Sequence, residues 1–266
     1  MLREVFMRLK GRRAVITGGG RGIGRAIALE FAKEGAGVAV LARTATEIES
    51  VAAEVEALGA RGFAVKCDAG NSGDVEKAMR VAGERLGGVD ILVANAGMMK
   101  HASVGETSDE IWDETMRVNL NSVFWSTRAV IGAMAESGWG RVIVMSSVSG
   151  KVGGANRSAY HAAKHGVIGF ARSLALEVAG DGVTVNSICP GFVDTKMVAD
   201  AEGDFVRYAG NGRNAEETLE MFRQSIPMGR FLDPSEIAAM ALYLASDDAR
   251  GVTGQAFTIS CGSVQA

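Results

Sequence analysis

Short apolar segments alternate with amphipathic, helix-like segments along the chain, and no other feature of the sequence constrains the fold as strongly. Apolar segments of strand length that are separated by helices are typical of a parallel sheet covered on both faces. The predicted fold is therefore α/β, a single doubly wound domain over residues 1–266 with about seven parallel strands and helices on both faces of the sheet. The predicted strands are residues 12–17, 37–42, 62–67, 89–97, 140–146, 182–188 and 255–260.

Helix starts between these strands can be located from their capping residues. Thr44 is followed three residues later by Glu47, which is the spacing of a capping box. Asp233 precedes Pro234, with Glu236 at the third position, and this combination of cap, proline and acid marks the start of another helix. The predicted helices are residues 25–35, the segment that follows Thr44, residues from about 109 to 137, residues 155–179 and the segment that follows Asp233.

Composition excludes several classes of function. The chain is 47% hydrophobic with a formal net charge of −3, and its basic residues are scattered, so no nucleic-acid partner is expected. No apolar run reaches the length of a membrane span, and the basic N-terminus lacks the apolar core of a secretory signal, so no membrane partner is expected. Cys67, Cys189 and Cys261 are far apart and odd in number, as in reduced cytoplasmic proteins. Three histidines without ligand spacing give no metal site.

A glycine-rich turn separates the first predicted strand from the first helix. Glycines at such a turn let the backbone approach a pyrophosphate, and the helix N-terminus behind it offers unpaired N–H groups and the positive end of a dipole. A glycine-rich turn alone is weak evidence, but between a first strand and a first helix it is the Rossmann arrangement for binding a dinucleotide. The residues expected to contact the dinucleotide here are Thr17, Gly18, Gly20, Arg21, Gly22, Ile23 and Gly24.

The residues after the second strand bear on which dinucleotide binds. An acidic side chain at this point would hold the ribose 2′-hydroxyl of NAD and repel a 2′-phosphate. The chain has Ala42 here, followed by Arg43, and both Arg43 and Arg21 are placed to reach a phosphate. We therefore expect a preference for NADP(H). The alternative is that Arg43 is a solvated surface residue and that the cofactor is NAD(H).

Other strand ends also carry residues compatible with a dinucleotide, because ligands of such sheets bind beyond the carboxyl ends of the strands. Asp68 follows the third strand and is placed to accept a hydrogen bond from an adenine amino group, while small residues after the fourth strand leave room for a ribose. Each alone is explained equally well as turn chemistry, but together they favour a cofactor. The further expected contacts are Asn95, Ala96, Gly97, Pro190, Gly191, Val193 and Thr195.

Tyr160 and Lys164 are four residues apart, so on a helix they lie on the same face, and Ser147 ends the fifth strand. A free tyrosine titrates near ~10 and is a poor base at neutral pH. An ammonium roughly 4 Å away is worth at most about 4 kcal/mol, which bounds the lowering of the tyrosine pKa at roughly three units. We therefore expect Lys164 to lower the pKa of Tyr160 toward neutrality, where proton exchange with an alcohol or carbonyl is efficient.

Together these residues resemble the short-chain dehydrogenase/reductase family over essentially the full chain. The resemblance implies a catalytic tetrad in which Tyr160 exchanges the proton and Ser147 anchors the substrate. It also implies that Lys164 and Tyr160 contact the nicotinamide ribose and that Asn119 holds a water that links Lys164 to solvent. The motifs that carry the resemblance are TGGGRGIG (17–24), Asp68, NAG (95–97), Asn119 in VNL, Ser147, YHAAK (160–164) and PG (190–191).

The resemblance further implies a homotetramer assembled through the long helices around 109–137 and 155–179. Three departures from the family pattern are present, the first being Ala94, where many relatives have an Asn before NAG. The last strand ends in Ser260-Cys261-Gly262, where relatives often have Asp-Gly-Gly. The segment 195–227, which corresponds to the substrate lid, is longer than in the compact 3-oxoacyl-carrier-protein reductases that the chain otherwise resembles.

The sequence thus predicts a cytoplasmic, NADP(H)-preferring oxidoreductase that interconverts a ketone and a secondary alcohol, with a small carbonyl or alcohol molecule as its partner. A 3-oxoacyl thioester is one substrate hypothesis. The alternative is an NAD-dependent dehydrogenase of a small secondary alcohol, polyol or sugar. A hypothesis of another class is a non-catalytic dinucleotide-binding sensor or assembly subunit. The intact tetrad argues against it, because a protein without turnover has no need for a tyrosine poised above a lysine.

Overall fold

The computed structural model describes residues 7–200, 202–209 and 211–266. Parts of the predicted domain 1–266 and of the predicted lid 195–227 lie outside these ranges, at residues 1–6, 201 and 210. Seven strands form one sheet in which every recorded neighbour pair is parallel. The strands are β1 (Arg13–Thr17), β2 (Gly37–Ala42), β3 (Gly62–Lys66), β4 (Ile91–Ala94), β5 (Gly140–Met145), β6 (Val183–Pro190) and β7 (Ala256–Ile259).

Helices connect the strands and cover both faces of the sheet. The helices are α1 (Gly22–Lys33), α2 (Ala45–Ala57), α3 (Ser72–Leu86), α4 (Asp109–Met116), α5 (Ser122–Arg128), α6 (Ile131–Ser137), α7 (Ser158–Val178), α8 (Lys196–Asp200), α9 (Glu202–Ala209), α10 (Ala215–Ser225) and α11 (Pro234–Ala245). The predicted lid, residues 195–227, contains α8, α9 and α10 and ends shortly after α10.

The strand order confirms the predicted doubly wound sheet. It runs β3-β2-β1-β4-β5-β6-β7, so the chain reverses its direction of travel between β1 and β4. In such sheets a crevice opens at this switch point, beyond the carboxyl ends of the strands. All seven predicted strands are present. The fourth is shorter than the predicted 89–97, since ladder pairing covers only Ile91–Ala94.

Alternating strand residues feed two separate cores, as the pleat of a strand requires. Ile16 of β1 packs with Ile27 and Phe31 of α1, in a cluster that also includes residues of α2 and α11. Its neighbour Val15 packs into the opposite cluster, which contains residues of α3, α5 and α7, among them Val167. A strand that is buried on both faces must be apolar at every position, which explains the continuous apolar runs of the sequence.

The predicted long helix over about 109–137 is wrong as a single element. A π-helical turn, Arg117–Asn121, interrupts it between α4 and α5, and a further break precedes α6. Asn119 lies in this turn with no solvent exposure, and its Oδ1 accepts the backbone N–H of Met98 at 3.1 Å. A π turn moves a side chain off the regular helical face and is frequent at functional sites.

The two predicted capping boxes had different outcomes. Asp233 and Glu236 form the predicted box at the start of α11, where the Asp233 side chain accepts the N–H of Ser235 at 2.7 Å. The box predicted at Thr44 and Glu47 is wrong. Thr44 is the N-cap residue of α2, but its side chain makes no capping hydrogen bond, and the carboxylate of Glu47 lies 3.7 Å from Arg21 of the glycine-rich turn.

Cys67, Cys189 and Cys261 are buried free thiols near the ends of β3, β6 and β7. In the ranges that the structure describes, none of the helices is both long and apolar enough to cross a membrane. The same ranges contain no group of three or more His, Cys, Asp or Glu residues that could hold a metal ion.

An ion pair joins the beginnings of β1 and β4 at the edge opposite the switch-point crevice. The carboxylate of Asp90 accepts the backbone N–H of Arg13 at 2.9 Å, its Nε at 2.8 Å and its Nη2 at 2.6 Å. The Asp90 side chain is 11% exposed and that of Arg13 is 34% exposed. Hydrogen bonding to Asp90 raises the pKa of the Arg13 guanidinium, so the two groups stabilise each other.

We expect Asp90→Ala to lower the free energy of unfolding by about 2 kcal/mol, less than a fully buried pair would lose, because a third of Arg13 remains solvated. Urea denaturation measures this change. The matched control is Glu84→Ala, which breaks a pair with Arg80 whose two side chains are each 62% exposed, and it should change stability little. Equal losses in the two variants would contradict a structural role for Asp90.

Candidate active site

A cleft opens at the carboxyl ends of the central strands, at the switch point between β1 and β4. It contains most of the residues that the sequence assigned to a dinucleotide. Those that line the cleft are Thr17, Gly18, Gly20, Arg21, Gly22, Ile23, Arg43, Asp68, Asn95, Ala96, Gly97 and Thr195. The other residues that line it, which the sequence did not single out as contacts, include Leu41, Ala42, Thr44, Glu47, Cys67, Ala69, Val118, Lys196 and Met197.

The glycine-rich turn is built for close backbone approach. Gly18 has a φ of +64°, and a Cβ added there would lie 2.9 Å from the Cα of Ala96. A Cβ on Gly24 would lie 2.3 Å from the carbonyl oxygen of Gly18, so α1 starts tightly against the turn. Gly24 therefore shapes the turn without lining the cleft. The exposed N–H groups at the start of α1 and the absence of side chains in front of them fit the pyrophosphate of a dinucleotide.

Asn95 fastens the two strand ends that border the cleft. Its Nδ2 donates to the carbonyl oxygens of Thr17 and Gly18, each at 3.1 Å. The Thr17 hydroxyl in turn accepts the N–H groups of Asn95 at 3.0 Å and Ala96 at 3.1 Å. These four bonds hold the glycine-rich turn in register with the end of β4. Asn95 thus has a structural role that the sequence did not predict.

The adenine end of the cleft carries charge of both signs. Arg21 and Arg43 both line it, as predicted. Glu47 lines it as well, and its carboxylate lies 3.7 Å from Nη1 of Arg21, with the two side chains 34% and 51% exposed. Ala42 therefore does not leave the cleft free of acids. The sequence signal for Glu47 was its position in the first turn of α2, which was interpreted as a cap instead.

The remaining predicted cofactor residues have other neighbours. Asp68 accepts the N–H of Gly70 through Oδ1 at 2.9 Å, which is turn chemistry, and it also borders the cleft. Pro190 is the last residue of β6, and its carbonyl oxygen lies 3.5 Å from the Ser147 hydroxyl. Gly191 and Val193 follow it outside the cleft lining, and Val193 pairs with Leu232 in an isolated bridge.

The structure brings Ser147, Tyr160 and Lys164 together beside the carboxyl end of β5. Ser147 follows β5 and caps a short 3-10 turn, where its hydroxyl accepts the N–H of Ser149 at 3.1 Å. Tyr160 and Lys164 lie one turn apart on α7, and both are buried. The Lys164 Nζ lies 5.7 Å from the centroid of the Tyr160 ring and donates to the carbonyl oxygen of Met145 at 2.8 Å.

Asn119 approaches the same site through the π turn. A Cβ added to Gly97 would lie 3.0 Å from the Asn119 Oδ1 and 3.6 Å from the Lys164 Nζ, so the two polar groups border one point. The Asn119 Nδ2 donates to the carbonyl oxygen of Thr115 at 3.0 Å, which satisfies part of the backbone that the π turn frees. All four residues of the predicted tetrad therefore lie around the end of β5 and the cleft.

The predicted direction of the Tyr160 pKa is wrong for the protein alone. Burial raises the pKa of Tyr160, because desolvation disfavours the phenolate. Hydrogen bonding to Ser147 and the positive charge of Arg157 act in the opposite direction and are outweighed. Burial also lowers the pKa of Lys164 from 10.5 to about 8. The expectation from the sequence bounded the attraction between ammonium and phenolate before the opposing desolvation, and in the structure the desolvation is the larger effect.

The segment after β6 forms helices, and α9 packs against the loop that follows β4. Phe205 of α9 is 3% exposed and packs edge-on against His101, with ring centroids 5.2 Å apart. The His101 Nδ1 lies 3.3 Å from Asp204, and Glu106 accepts hydrogen bonds from Arg207 and Tyr208 of the same helix. Sequence analysis missed His101 and Glu106, since no local pattern shows that a loop residue contacts a helix that is distant in the sequence.

Comparisons with known proteins agree with this geometry. A family model described as short chain dehydrogenase matches residues 12–204. The chain is 38% identical over 256 residues to the 3-oxoacyl-acyl-carrier-protein reductase FabG of Vibrio cholerae, covering 96% of this chain and 98% of that protein. It is 40% identical over 245 residues to a D-beta-hydroxybutyrate dehydrogenase of Rhizobium meliloti, covering 91% and 94%.

A solved structure is similar over almost the same length. The crystal structure of a variant of actinorhodin polyketide ketoreductase with NADPH superposes with a TM-score of 0.91 at 36% identity, covering 95% of this chain and 97% of that one. Likeness at this identity extends beyond the fold to the family. The predicted resemblance is therefore confirmed.

The lowered pKa of Lys164 makes stability depend on pH with a definite sign. Between about pH 8 and 10.5 the unfolded chain binds the Lys164 proton more than the folded protein does, so stability rises with pH in this window. Between pH 7 and pH 9.5 the gain from Lys164 is about 2 kcal/mol. Urea denaturation at both pH values should show this gain in the wild type and its loss in Lys164→Met. The control Lys33→Met, at an exposed site, should keep the gain. Identical pH responses of the wild type and Lys164→Met would refute the lowered pKa.

Proposed function

The chain belongs to the short-chain dehydrogenase family, and we propose that it interconverts a ketone and a secondary alcohol with NADP(H) as its preferred cofactor. The observation that carries the proposal is the convergence of Ser147, Tyr160 and Lys164 beside a cleft whose glycine-rich turn fits a pyrophosphate. A nicotinamide dinucleotide, when bound, supplies or accepts the hydride. The protein supplies binding, orientation and proton transfer.

Tyr160 would donate the proton to the carbonyl oxygen during reduction and accept it during oxidation. Its raised pKa keeps the phenol protonated in the protein alone, which is the form that a proton donor needs. Ser147 would hold the same substrate oxygen through its hydroxyl. Lys164, whose pKa is lowered to about 8, is able both to carry charge and to exchange a proton near neutral pH. Asn119 would position the water that links Lys164 to solvent.

The cofactor preference rests on the charges at the adenine end. Two guanidinium groups, those of Arg21 and Arg43, line the cleft, and a 2′-phosphate would accept charge-assisted hydrogen bonds from both. Glu47 weakens this preference, because it already neutralises part of the charge of Arg21. NAD(H) is therefore the second candidate. The NADPH in the similar ketoreductase structure supports the first.

Two substrate classes fit the proposed reaction. A 3-oxoacyl thioester is supported by the likeness to FabG of Vibrio cholerae. A small secondary alcohol, polyol or sugar is supported by the segment 195–227, which folds into α8, α9 and α10 and which we propose is the substrate lid. A non-catalytic sensor or assembly subunit is disfavoured, since burying an ammonium beside a phenol is costly and dinucleotide binding alone does not require that pair.

We also propose a homotetramer assembled through α4, α5 and α7. Phe124 of α5 is 41% exposed and packs edge-on against Phe170 of α7, at 6.2 Å between centroids. Leu176 of α7 is 84% exposed. Large apolar side chains that face outward on adjacent helices favour a protein interface. The three buried free thiols support a cytoplasmic location, where cysteines stay reduced.

Tyr160→Phe removes the proton donor but little volume. We expect carbonyl reduction to fall by about a thousandfold, because general acid catalysis of this kind contributes that much, while NADPH binding stays within about twofold. Steady-state kinetics and fluorescence titration of the cofactor measure the two effects. Tyr243→Phe, on α11, is the matched control and should leave both unchanged. If Tyr160→Phe retains full reduction with cofactor bound, the mechanism is wrong.

Equilibrium binding of NADPH and NADH, followed by quenching of the tryptophans, tests the cofactor preference. We expect NADPH to bind at least about tenfold more tightly, which is about 1.4 kcal/mol. Arg43→Gln should remove most of this difference, and Glu47→Gln should increase it by freeing Arg21, whereas the exposed control Arg80→Gln should do neither. Equal or reversed affinities in the wild type would make Arg43 a surface residue and NAD(H) the cofactor.

A further inference from the structure

An unpaired guanidinium lies beside the proposed proton donor. Arg157 is the N-cap residue of α7, three residues before Tyr160, and its side chain is half-buried. Within residues 7–200, 202–209 and 211–266, no carboxylate and no hydrogen-bond acceptor pairs with its guanidinium. Burial lowers the pKa of Arg157, because desolvation disfavours its charged form. Buried charges in proteins are ordinarily paired, so a partner from outside the chain is expected.

A second unsatisfied polar atom borders the same space. His161 is 8% exposed, and its Nδ1 lies 2.7 Å from the carbonyl oxygen of Val152, which assigns the proton to Nδ1. Its Nε2 is buried and has no hydrogen-bond partner in the part of the chain that the structure describes. A Cβ added to Gly154 would lie 2.7 Å from this Nε2 and 2.9 Å from Nη2 of Arg157. The two groups therefore face one small space that stays open because residue 154 has no side chain.

The Nε2 of His161 carries no proton in this tautomer and is an acceptor, so the positive charge that faces this space is that of Arg157. Asp204, which α9 brings toward the site, lies against His101 at 3.3 Å rather than against Arg157. The positive charge of Arg157 contributes to lowering the pKa of both His101 and His161. An anion would be stabilised here by a guanidinium in partly desolvated surroundings, where a charge-assisted hydrogen bond is strongest.

We propose that the substrate is a short oxo acid or the corresponding hydroxy acid, whose carboxylate binds Arg157 while its carbonyl or hydroxyl oxygen faces Tyr160. This inference rests on the proposed function and names the substrate class of the same site. Arg157 is the N-cap residue of α7, and its positive charge lies close enough to act on the Tyr160 phenol, so one compact molecule can reach both groups.

This substrate class differs from a 3-oxoacyl thioester in the place of its charge. The thioester has no anion close to its ketone, because the phosphate of its carrier lies at the far end of the pantetheine arm. A polyol or sugar has no charge at all. Planar guanidinium binds planar carboxylate in a bidentate manner, which would also fix the face of the ketone that is presented.

The test compares an acid with its uncharged ester. Steady-state kinetics of the purified full chain would be measured on 3-oxobutanoate and methyl 3-oxobutanoate, and on the pair one carbon longer. We expect the wild type to favour the acid by at least about tenfold in kcat/KM. Arg157→Gln should lower kcat/KM for the acid by about thirtyfold or more, mainly through KM, and change that for the ester by less than about threefold. Arg157→Lys should recover part of the loss.

Two matched controls separate the subsite from general damage. Arg172→Gln removes an exposed guanidinium from the same helix and should change neither substrate. Gly154→Ala places a methyl group in the space that Arg157 and His161 border, and should act on the acid alone. Gly153→Ala meets no atom within 4 Å and should have no effect. Equal losses for acid and ester in Arg157→Gln would overturn the proposal and assign Arg157 to the pKa of Tyr160 instead.

Binding of butanoate, which has a carboxylate and no ketone, keeps the proposal testable without turnover. Calorimetry should show binding to the wild type and weakening by about tenfold in Arg157→Gln. If neither acid nor ester is turned over but butanoate binding still depends on Arg157, the proposed function fails and the anion subsite stands. If the ester is turned over while butanoate fails to bind or binds both proteins equally, the subsite is wrong and the oxidoreductase stands.

Discussion

The buried ammonium of Lys164 is the interaction on which the rest of the site depends. Removing a cation from water is expensive, and here the recorded compensation is a hydrogen bond to the Met145 carbonyl at the end of β5. That carbonyl is free to accept because the strand ends there. The hydroxyl of Ser146, the residue after Met145, donates a hydrogen bond to the backbone carbonyl oxygen of Lys164 at 2.9 Å. A 21-residue helix packed on the sheet supplies the rigidity that holds the charge in place. The positions of Tyr160 and Lys164 therefore follow from how α7 packs against the end of β5.

The elements that the sequence predicted well are those whose signals are local. Strands buried on both faces must be apolar throughout, and glycines in the first turn are required by φ values and contacts that no side chain permits. The break of the helix over 109–137 could not be predicted in this way. It depends on Asn119 receiving an N–H from Met98, which lies in a different loop. The position of the Glu47 carboxylate could not be predicted locally either, since it lies against Arg21 of another segment.

The site shows the same division. Tyr160, Lys164 and Ser147 were placed by spacing and by the strand end, and the structure brings them together. The electrostatics were not predictable, because a pKa depends on burial as much as on neighbouring charge. An attraction of at most about 4 kcal/mol is comparable with the cost of desolvating a phenolate and an ammonium at once, so its effect on Tyr160 cannot be deduced from spacing. Arg157 was overlooked for the same reason, since its significance lies in the absence of a partner among the described residues.

Acidic side chains lie near the cationic groups around the cleft and offset part of their positive charge without cancelling it. Arg21 is paired with Glu47 at 3.7 Å, but both side chains are a third or more exposed, and such a pair is worth at most about 1 kcal/mol. A charge-assisted hydrogen bond to a phosphate is worth roughly 1.5 to 3 kcal/mol, so a 2′-phosphate would compete successfully with Glu47 for Arg21. Because Glu47 offsets part of the positive charge, the affinity for NAD(H) would be reduced less here than in a site that has only basic side chains. At the other end, Asp204 lies against His101 rather than against Arg157. Because burial lowers the pKa of His101, its ring is neutral at pH 7, so this contact is a hydrogen bond in which the Asp204 carboxylate keeps its negative charge.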